Sequence, residues 1–429
     1  MRAKVAFYML VYNTPEKYLR KAIESILNQT EKRIILFIQD NGSTDITKDI
    51  LLEYSFKDQR VIVVRNEKNG NPTEEEYLYR NKIFDEKIKN SEVEYFAIID
   101  SDDYYDKKFV EITYNIAKKF DLDLVMCGND SINELGDKII SSRVPEKFNS
   151  INDFLTDQKF ISLYKFFRTL WGKLYSIRLW DAYWYIMDVE RPRELRNGAD
   201  TYLIFSLMMN NMKYITIDET LHYYRVREKS MYSSDISEYR IKEPTLIYLK
   251  VFEFIKSINI CTEKNIEFLS NVYFQSIYDL VDIVFNNSKM NFNKKIHYIR
   301  KILNEDLLKI FGEKNIEFIY VILVKLNEYL KNSSIEEKQN AIKIMNNNTS
   351  IINDMKMDLL TYIENNYLDE ANKLIDRLLV EQPLAEEIIY FKIYLSILKN
   401  IKCNTVEDLA MCVYPDSEEI EKLLLTNKS

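Results

Sequence analysis

The sequence predicts an α/β fold, a doubly wound and mostly parallel sheet over residues 1–235, followed by an all-α domain over 236–429. Three observations predict it. Apolar runs of strand length alternate with amphipathic helical spacing through the first 126 residues, polar clusters close each strand, and turn residues then thin out. Val5 to Val11 is a continuous apolar run, the pattern of a central strand covered on both faces. Thr14 reads as an N-cap with Pro15 at the first helical position. Leu19, Ala22, Ile23 and Ile26 fall on one face of a helix over 15–29. A strand over 34–38, a helix to about Tyr54 and a strand over 61–64 follow. Tyr95 to Ile99 is a fourth strand and Leu122 to Met126 a fifth, with a helix at roughly 104–119 between them. Strand and helix in strict alternation imply right-handed crossovers, and ligands of such sheets collect at the carboxyl ends of the strands.

The second half has a different composition. Six of the seven glycines lie between Gly42 and Gly198, and no proline separates Pro244 from Pro383, so long helices are expected at 240–258, 263–285 and 293–311. Near 355–400 two helical stripes meet, Leu359, Tyr362 and Ile363 on one and Ala371, Leu374, Ile375, Leu378 and Leu379 on the next, ended by Pro383. Their spacing resembles one tetratricopeptide unit, although a solenoid needs about three such units to be stable. Between the halves, 150–187 is aromatic, from Phe154 to Tyr185. Most of these rings read as core, with Trp171 the candidate for a face that lines a sugar acceptor.

Composition excludes several classes. A net charge of −8 and a pI near 5.3 give no global basic field for nucleic acid. The apolar run at Val5 to Val11 is too short to span a bilayer and lacks a cleavage site, so the expected location is the cytoplasm, with peripheral association at the inner membrane face allowed. Four scattered cysteines and two histidines exclude a disulfide framework and a zinc site, and any metal should have oxygen ligands.

The strongest chemical signal is Asp100-Ser101-Asp102-Asp103 directly after an apolar strand. Carboxylates crowded at a strand end repel unless a cation or a donor network compensates them. A hard divalent ion, Mg²⁺ or Mn²⁺, bridging to diphosphate oxygens would do so with one or two carboxylates as ligands.

Tyr12-Asn13, the run Tyr18 to Thr30, Asp40-Asn-Gly-Ser-Thr-Asp45, Arg80-Asn81 and Asp100 to Asp103 resemble, in order and spacing, the family 2 glycosyltransferases of the GT-A fold. Trp171-Gly-Lys-Leu-Tyr175, Gly198-Ala-Asp200 and Leu221 to Arg227 extend the resemblance to about residue 233, a little over half the chain. It implies that Tyr12 lies along a uracil ring whose edge Asp40 or Asn41 binds, and that Arg80 reaches the nucleotide or diphosphate. Asp100 would bond the ribose hydroxyls and Asp102 the metal, with Asp103 sharing either task. Asp200 matches the general base, and Arg225 and Arg227 would stabilise the departing diphosphate. Only one of these two arginines is expected to touch phosphate. His222 reads as a structural residue.

The resemblance thus implies a metal-dependent, inverting transfer of GlcNAc, GalNAc or a hexose from a UDP-sugar to a hydroxyl of a bacterial surface glycan or of a surface protein such as flagellin. The alternative is a non-catalytic scaffold built on a decayed transferase domain, against which the intact Asp100, Asp102 and Asp200 speak.

Overall fold

A computed structural model of the chain describes residues 3–70, 74–146, 157–192, 195, 197–210, 212–227, 236, 238–312, 316–346 and 350–427. Phe154, Pro72 and the side chains of Glu74 to Glu76 lie outside the described set. The chain divides into two compact units, one of residues 1–234 with 250–265, the other of 235–249 with 266–429.

The first unit is built on a nine-stranded sheet. Its elements in chain order are β1 (Val5–Val11), α1 (Glu16–Leu27), β2 (Ile34–Asp40), α2 (Thr47–Lys57), β3 (Val61–Arg65), α3 (Glu74–Lys89), β4 (Tyr95–Asp100), β5 (Tyr104–Tyr105), α4 (Phe109–Phe120), β6 (Leu124–Ile132) and β7 (Ile139–Arg143). After these come α5 (Asp157–Phe167), β8 (Lys173–Ser176), α6 (Trp180–Tyr185), a π turn (Ile186–Glu190), α7 (Ala199–Met208) and β9 (Tyr214–Arg225).

The strand order is β3-β2-β1-β4-β8-β6-β9-β5, with β7 paired to β6. From β3 to β4 every pairing is parallel, as the alternation of strand and helix requires. Beyond β4 the sheet becomes mixed, because β8 runs antiparallel to both β4 and β6 while β6 and β9 are parallel. Side chains alternate across β1. Val5, Phe7, Met9 and Val11 join Leu19, Ala22, Ile23 and Ile26 of α1 and Val110 and Ala117 of α4 in one core. On the opposite face Tyr8 meets Phe84 of α3 and Trp184 of α6, with ring centroids 6.0 and 5.1 Å apart. Each large side chain fully buried in this way contributes roughly 1.5–3 kcal/mol, which is why a seven-residue apolar strand settles at the centre of a two-sided fold.

Two local expectations change. Thr14 does not cap α1, which begins at Glu16; its hydroxyl instead lies 2.7 Å from Ser101 Oγ and ties the loop after β1 to the acidic turn. The helix expected from 104 begins at Phe109, because Tyr104 and Tyr105 pair antiparallel with Tyr223 and His222. Of the aromatic segment, Phe160, Tyr164, Phe167, Tyr175, Tyr183 and Trp184 are core, and Tyr185 is exposed.

The second unit is helical. It takes residues 238–249 of α8 (Glu238–Ser257), and its own helices are α9 (Glu263–Asn286), α10 (Phe292–Leu303), α11 (Asp306–Gly312), α12 (Glu317–Lys331), α13 (Ile335–Met345), α14 (Ser350–Glu364), α15 (Leu368–Glu381), α16 (Glu386–Leu398), α17 (Asn404–Val413) and α18 (Glu418–Asn427). The single helix expected over 293–311 is two, since the chain leaves α10 at Asn304, whose N–H closes on the carbonyls of Arg300 and Lys301. In the tetratricopeptide-like region α14, α15 and α16 pack in sequence, with Ala371, Ile375, Leu378 and Leu379 wholly buried. Among the described residues no helix is long and apolar enough to cross a membrane.

Candidate active site

The polar clusters of the sequence fall at the carboxyl ends of β1, β2 and β4, where the strands run parallel and their loops emerge on one edge. Asn13, left-handed with φ 43°, locks the first two loops together: its N–H donates to Ser43 Oγ at 3.0 Å, and its Oδ1 accepts the N–H of Thr44 at 2.8 Å. Gly42 has φ 76°, and a Cβ there would lie 2.5 Å from the backbone of Lys68, so no other residue fits. Tyr12 stands exposed beside this junction. Asp40 is buried beneath it, with Oδ1 accepting the N–H of Ser43 at 2.9 Å and Oδ2 paired with Arg65 at 3.0 Å. Asn41 is the more accessible of the two nucleobase candidates, and its side chain bonds those of Asn66 and Asn69.

Arg80 is 3% exposed and is taken up by the protein. Its Nη2 pairs with Asp188 at 2.9 Å, and its guanidinium lies 4.1 Å from the centre of the Trp184 ring. Placed here, Arg80 joins α3 to the π turn rather than standing free for a nucleotide.

The acidic turn sorts its three carboxylates by direction. Asp100 closes β4 with its side chain open to solvent on one side. The protein packed around the rest of that carboxyl, then the negative charges of Asp200 and Asp102, push it up to about 8 against the pull of Arg227. Asp102 is held by Arg227, Nη2 to Oδ2 2.6 Å. Asp103 does not join them. It is 1% exposed, its Oδ1 accepts the N–H of Arg225 at 2.8 Å, and its Oδ2 lies 3.5 Å from His222 Nε2.

His222 is fully buried, stacked on Trp171 with centroids 4.3 Å apart, and burial followed by the charge of Lys173 depresses it to about 3, so the ring is neutral. Trp171 is half-buried between His222 and Tyr224. Arg225 and Arg227 part company. Arg225 is 5% exposed, donates to the carbonyls of Asp102 and Glu134 and lies over the Tyr18 ring, which leaves Arg227 as the arginine facing the acids.

Asp200 sits in the first turn of α7, after Gly198 in the left-handed region. Burial raises its carboxyl above the usual range, while the N–H of Leu170 and the charges of Lys173 and Arg191 hold it down. Its charge is felt by Asp100, so the two carboxylates lie within electrostatic reach of one another. Lys173 and Arg191 were not singled out from the sequence as site residues. A lysine opening an otherwise apolar strand was the available signal for the first; Arg191 had none.

Among the described residues no three acidic, histidine or cysteine side chains gather as a metal cage. The donor set suits an ion that takes one or two carboxylates and completes its shell with water and phosphate. Asp102, with Asp100 beside it, fits that demand, and Asp103, buried under the turn, does not.

The site thus sets carboxylates at the carboxyl ends of parallel strands in a mixed α/β sheet. Residues 7–176 match Glycosyl transferase family 2. It is 28% identical over 53% of its length to glycosyltransferase GlyA of Streptococcus pneumoniae serotype 4, covering 31% of that protein. It is 27% identical over 55% of its length to the uncharacterized glycosyltransferase MJ1057 of Methanocaldococcus jannaschii, covering 76% of that one. The chain thus spans less than a third of the first relative. Among solved structures, S. aureus TarS 1-349 in complex with UDP-GlcNAc is similar at 17% identity and a TM-score of 0.42, over 89% of this chain and 92% of that one.

Proposed function

We propose that the chain is a metal-dependent inverting glycosyltransferase that moves GlcNAc, GalNAc or a hexose from a UDP-sugar to a hydroxyl of a bacterial cell-surface glycan or surface protein. The observation that carries this reading is the crowding of acidic charge, with Asp102 and Asp200 both within electrostatic reach of Asp100 and Arg227 paired to Asp102. A decayed site would lose such mutually repelling acids readily, because they cost stability and give nothing back.

Asp102, with Asp100, would hold Mg²⁺ or Mn²⁺, which supplies positive charge to the diphosphate as it departs. Tyr12 and Asn41 lie where a uracil would stack and bond. Asp200 takes the proton from the acceptor hydroxyl while that oxygen forms a bond to the anomeric carbon and the bond to the diphosphate breaks, releasing UDP. A single displacement inverts that centre. A carboxyl raised by burial but restrained by Leu170, Lys173 and Arg191 is more basic than an exposed one, as a proton acceptor requires. Arg227, paired with Asp102 at 2.6 Å, would meet the charge of the leaving phosphate.

Asp200→Asn is expected to lower transfer by about 10³-fold or more while UDP affinity stays within about twofold of wild type. Sugar release from UDP-GlcNAc, UDP-GalNAc and UDP-glucose, followed with isothermal titration of UDP, checks both; unimpaired turnover removes Asp200 as the base. Asp102→Asn should abolish the Mn²⁺ dependence of UDP binding, and a normal Mn²⁺ titration curve would exclude Asp102 as a ligand.

A further inference from the structure

Lys173 is an unusual residue to find at the start of a strand in the middle of a sheet. It is 2% exposed, and burial lowers its ammonium to about 7. A buried ammonium costs several kcal/mol unless its protons are bonded, and these are bonded in one direction only. Nζ donates to the carbonyl of Thr169, to Thr169 Oγ1 at 3.2 Å and to the carbonyl of Trp171 at 3.2 Å. All three acceptors belong to the loop 168–172 that joins α5 to β8.

That loop touches both sides of the proposed chemistry. Its Arg168 carbonyl accepts the hydroxyl of Thr201, the residue after Asp200, at 3.3 Å, its Leu170 N–H holds the Asp200 carboxyl down, and its Trp171 ring stacks on His222. It is braced elsewhere too, since Tyr175 OH donates to the Leu170 carbonyl at 2.9 Å and the Gly172 N–H donates to Tyr105 OH at 2.8 Å. Gly172 is left-handed with φ 69°, so the turn that presents Trp171 depends on its backbone as well. Those other braces are neutral. Lys173 brings a charge within electrostatic reach of Asp200.

We propose that Lys173 is a positioning residue for glycosyl transfer, clamping the 168–172 loop so that the Leu170 N–H and the Trp171 ring are held in register with Asp200. The inference rests on the reading of Asp200 as the base. Groups whose charge interacts with Asp200 are Lys173 of β8, Arg191 after the π turn, Asp100 of β4, Tyr175 of β8 and Tyr183 of α6. Lys173 and Arg191 are the cations of that set, and Lys173 alone also holds the loop that bonds the carboxylate. Removing it should therefore both loosen the geometry and make Asp200 harder to ionise.

The test follows UDP release from whichever of UDP-GlcNAc, UDP-GalNAc and UDP-glucose the wild type turns over fastest in Mn²⁺, as a function of pH. Lys173→Met is expected to lower kcat about tenfold or more, to move the acid limb of kcat to higher pH, and to leave the UDP dissociation constant within about twofold. Thr169→Val, which removes one acceptor of the ammonium and is a milder change, should lower kcat about threefold and serves as the deciding variant if Lys173→Met does not fold. A folded variant with kcat and acid limb both unmoved overturns the proposal, and so does a loss of UDP binding in step with kcat, which marks general damage. Asp200→Asn run alongside separates the two claims. If it keeps wild-type turnover the base assignment fails, whereas an inactive Asp200→Asn beside an unaffected Lys173→Met sinks only the role of Lys173.

Discussion

Arg225 and Arg227 are two positions apart and meet opposite fates, which makes them a clean comparison of structural and functional charge. Arg225 closes β9 with its side chain turned inward, where it donates to the Asp102 carbonyl at 3.0 Å and to the Glu134 carbonyl at 2.7 Å, whereas Arg227 lies beyond the end of the strand. Its place is so tight that a Cβ on Gly136 would lie 2.9 Å from Nη1. Arg225→Met should leave those carbonyls unpaired and destabilise the fold by about 2–4 kcal/mol in urea unfolding. Arg227, with 35% of its side chain exposed, can leave Asp102 without opening the core. Arg227→Ala should shift stability by less than about 0.5 kcal/mol but raise the donor KM several-fold. Equal destabilisation by both changes would show that the inward and outward assignments are wrong.

Among elements, the start of β4 is the best-tied point of the sheet. Glu94 receives bonds from Lys118 and Tyr114 of α4 and pairs with Lys4 ahead of β1. Burial alone would raise its carboxyl, but the bonds from Lys118, Lys4 and Tyr114 prevail and hold it at about 2, below the ordinary 4.5. A depressed carboxylate contributes stability that is complete above pH 4.5 and disappears as pH falls towards 2. Glu94→Gln should therefore lower the unfolding temperature above pH 4.5, by an amount worth about 1 kcal/mol, and the two proteins should converge in acid. A gap that persists unchanged in acid would point to packing instead. The elements that could be read from the sequence are those whose signal is local. β1, β2 and β4 announce themselves as unbroken apolar runs because both faces are covered. β6 extends to Ile132, well past Met126, and its buried Asn129, Asp130 and Ser131 hide that, since their partners on β9 are distant in sequence. β5 is two residues long and exists only through its pairing with β9. The acids at 100–103 were legible as a cluster, but which of them faces the cleft depended on a turn that buries Asp103 against Arg225 and His222.

At the scale of the whole molecule, the end of the catalytic unit is not where the resemblance stops near residue 233. Residues 250–265 return to the first unit through the last part of α8. Phe254 meets Phe205 of α7 with centroids 5.2 Å apart, and Lys250 pairs with Glu190 at 3.3 Å and lies over the Tyr202 ring. Val251, Phe254, Ile255 and Ile260 are all buried. Four apolar side chains at roughly 1.5–3 kcal/mol each amount to a large part of the 5–15 kcal/mol that typically separates a folded domain from its unfolded chain. α7 carries Asp200 in its first turn, so the same contacts that stabilise the unit also seat the proposed base. A fragment of residues 1–235 is therefore expected to unfold at a markedly lower temperature than one of 1–265, and to lose cooperativity in the calorimeter, while 1–265 keeps UDP binding within about threefold of the full chain. Matching unfolding temperatures for the two fragments would mean that α8 adds nothing to the catalytic unit, and the boundary would then belong at the end of the family resemblance.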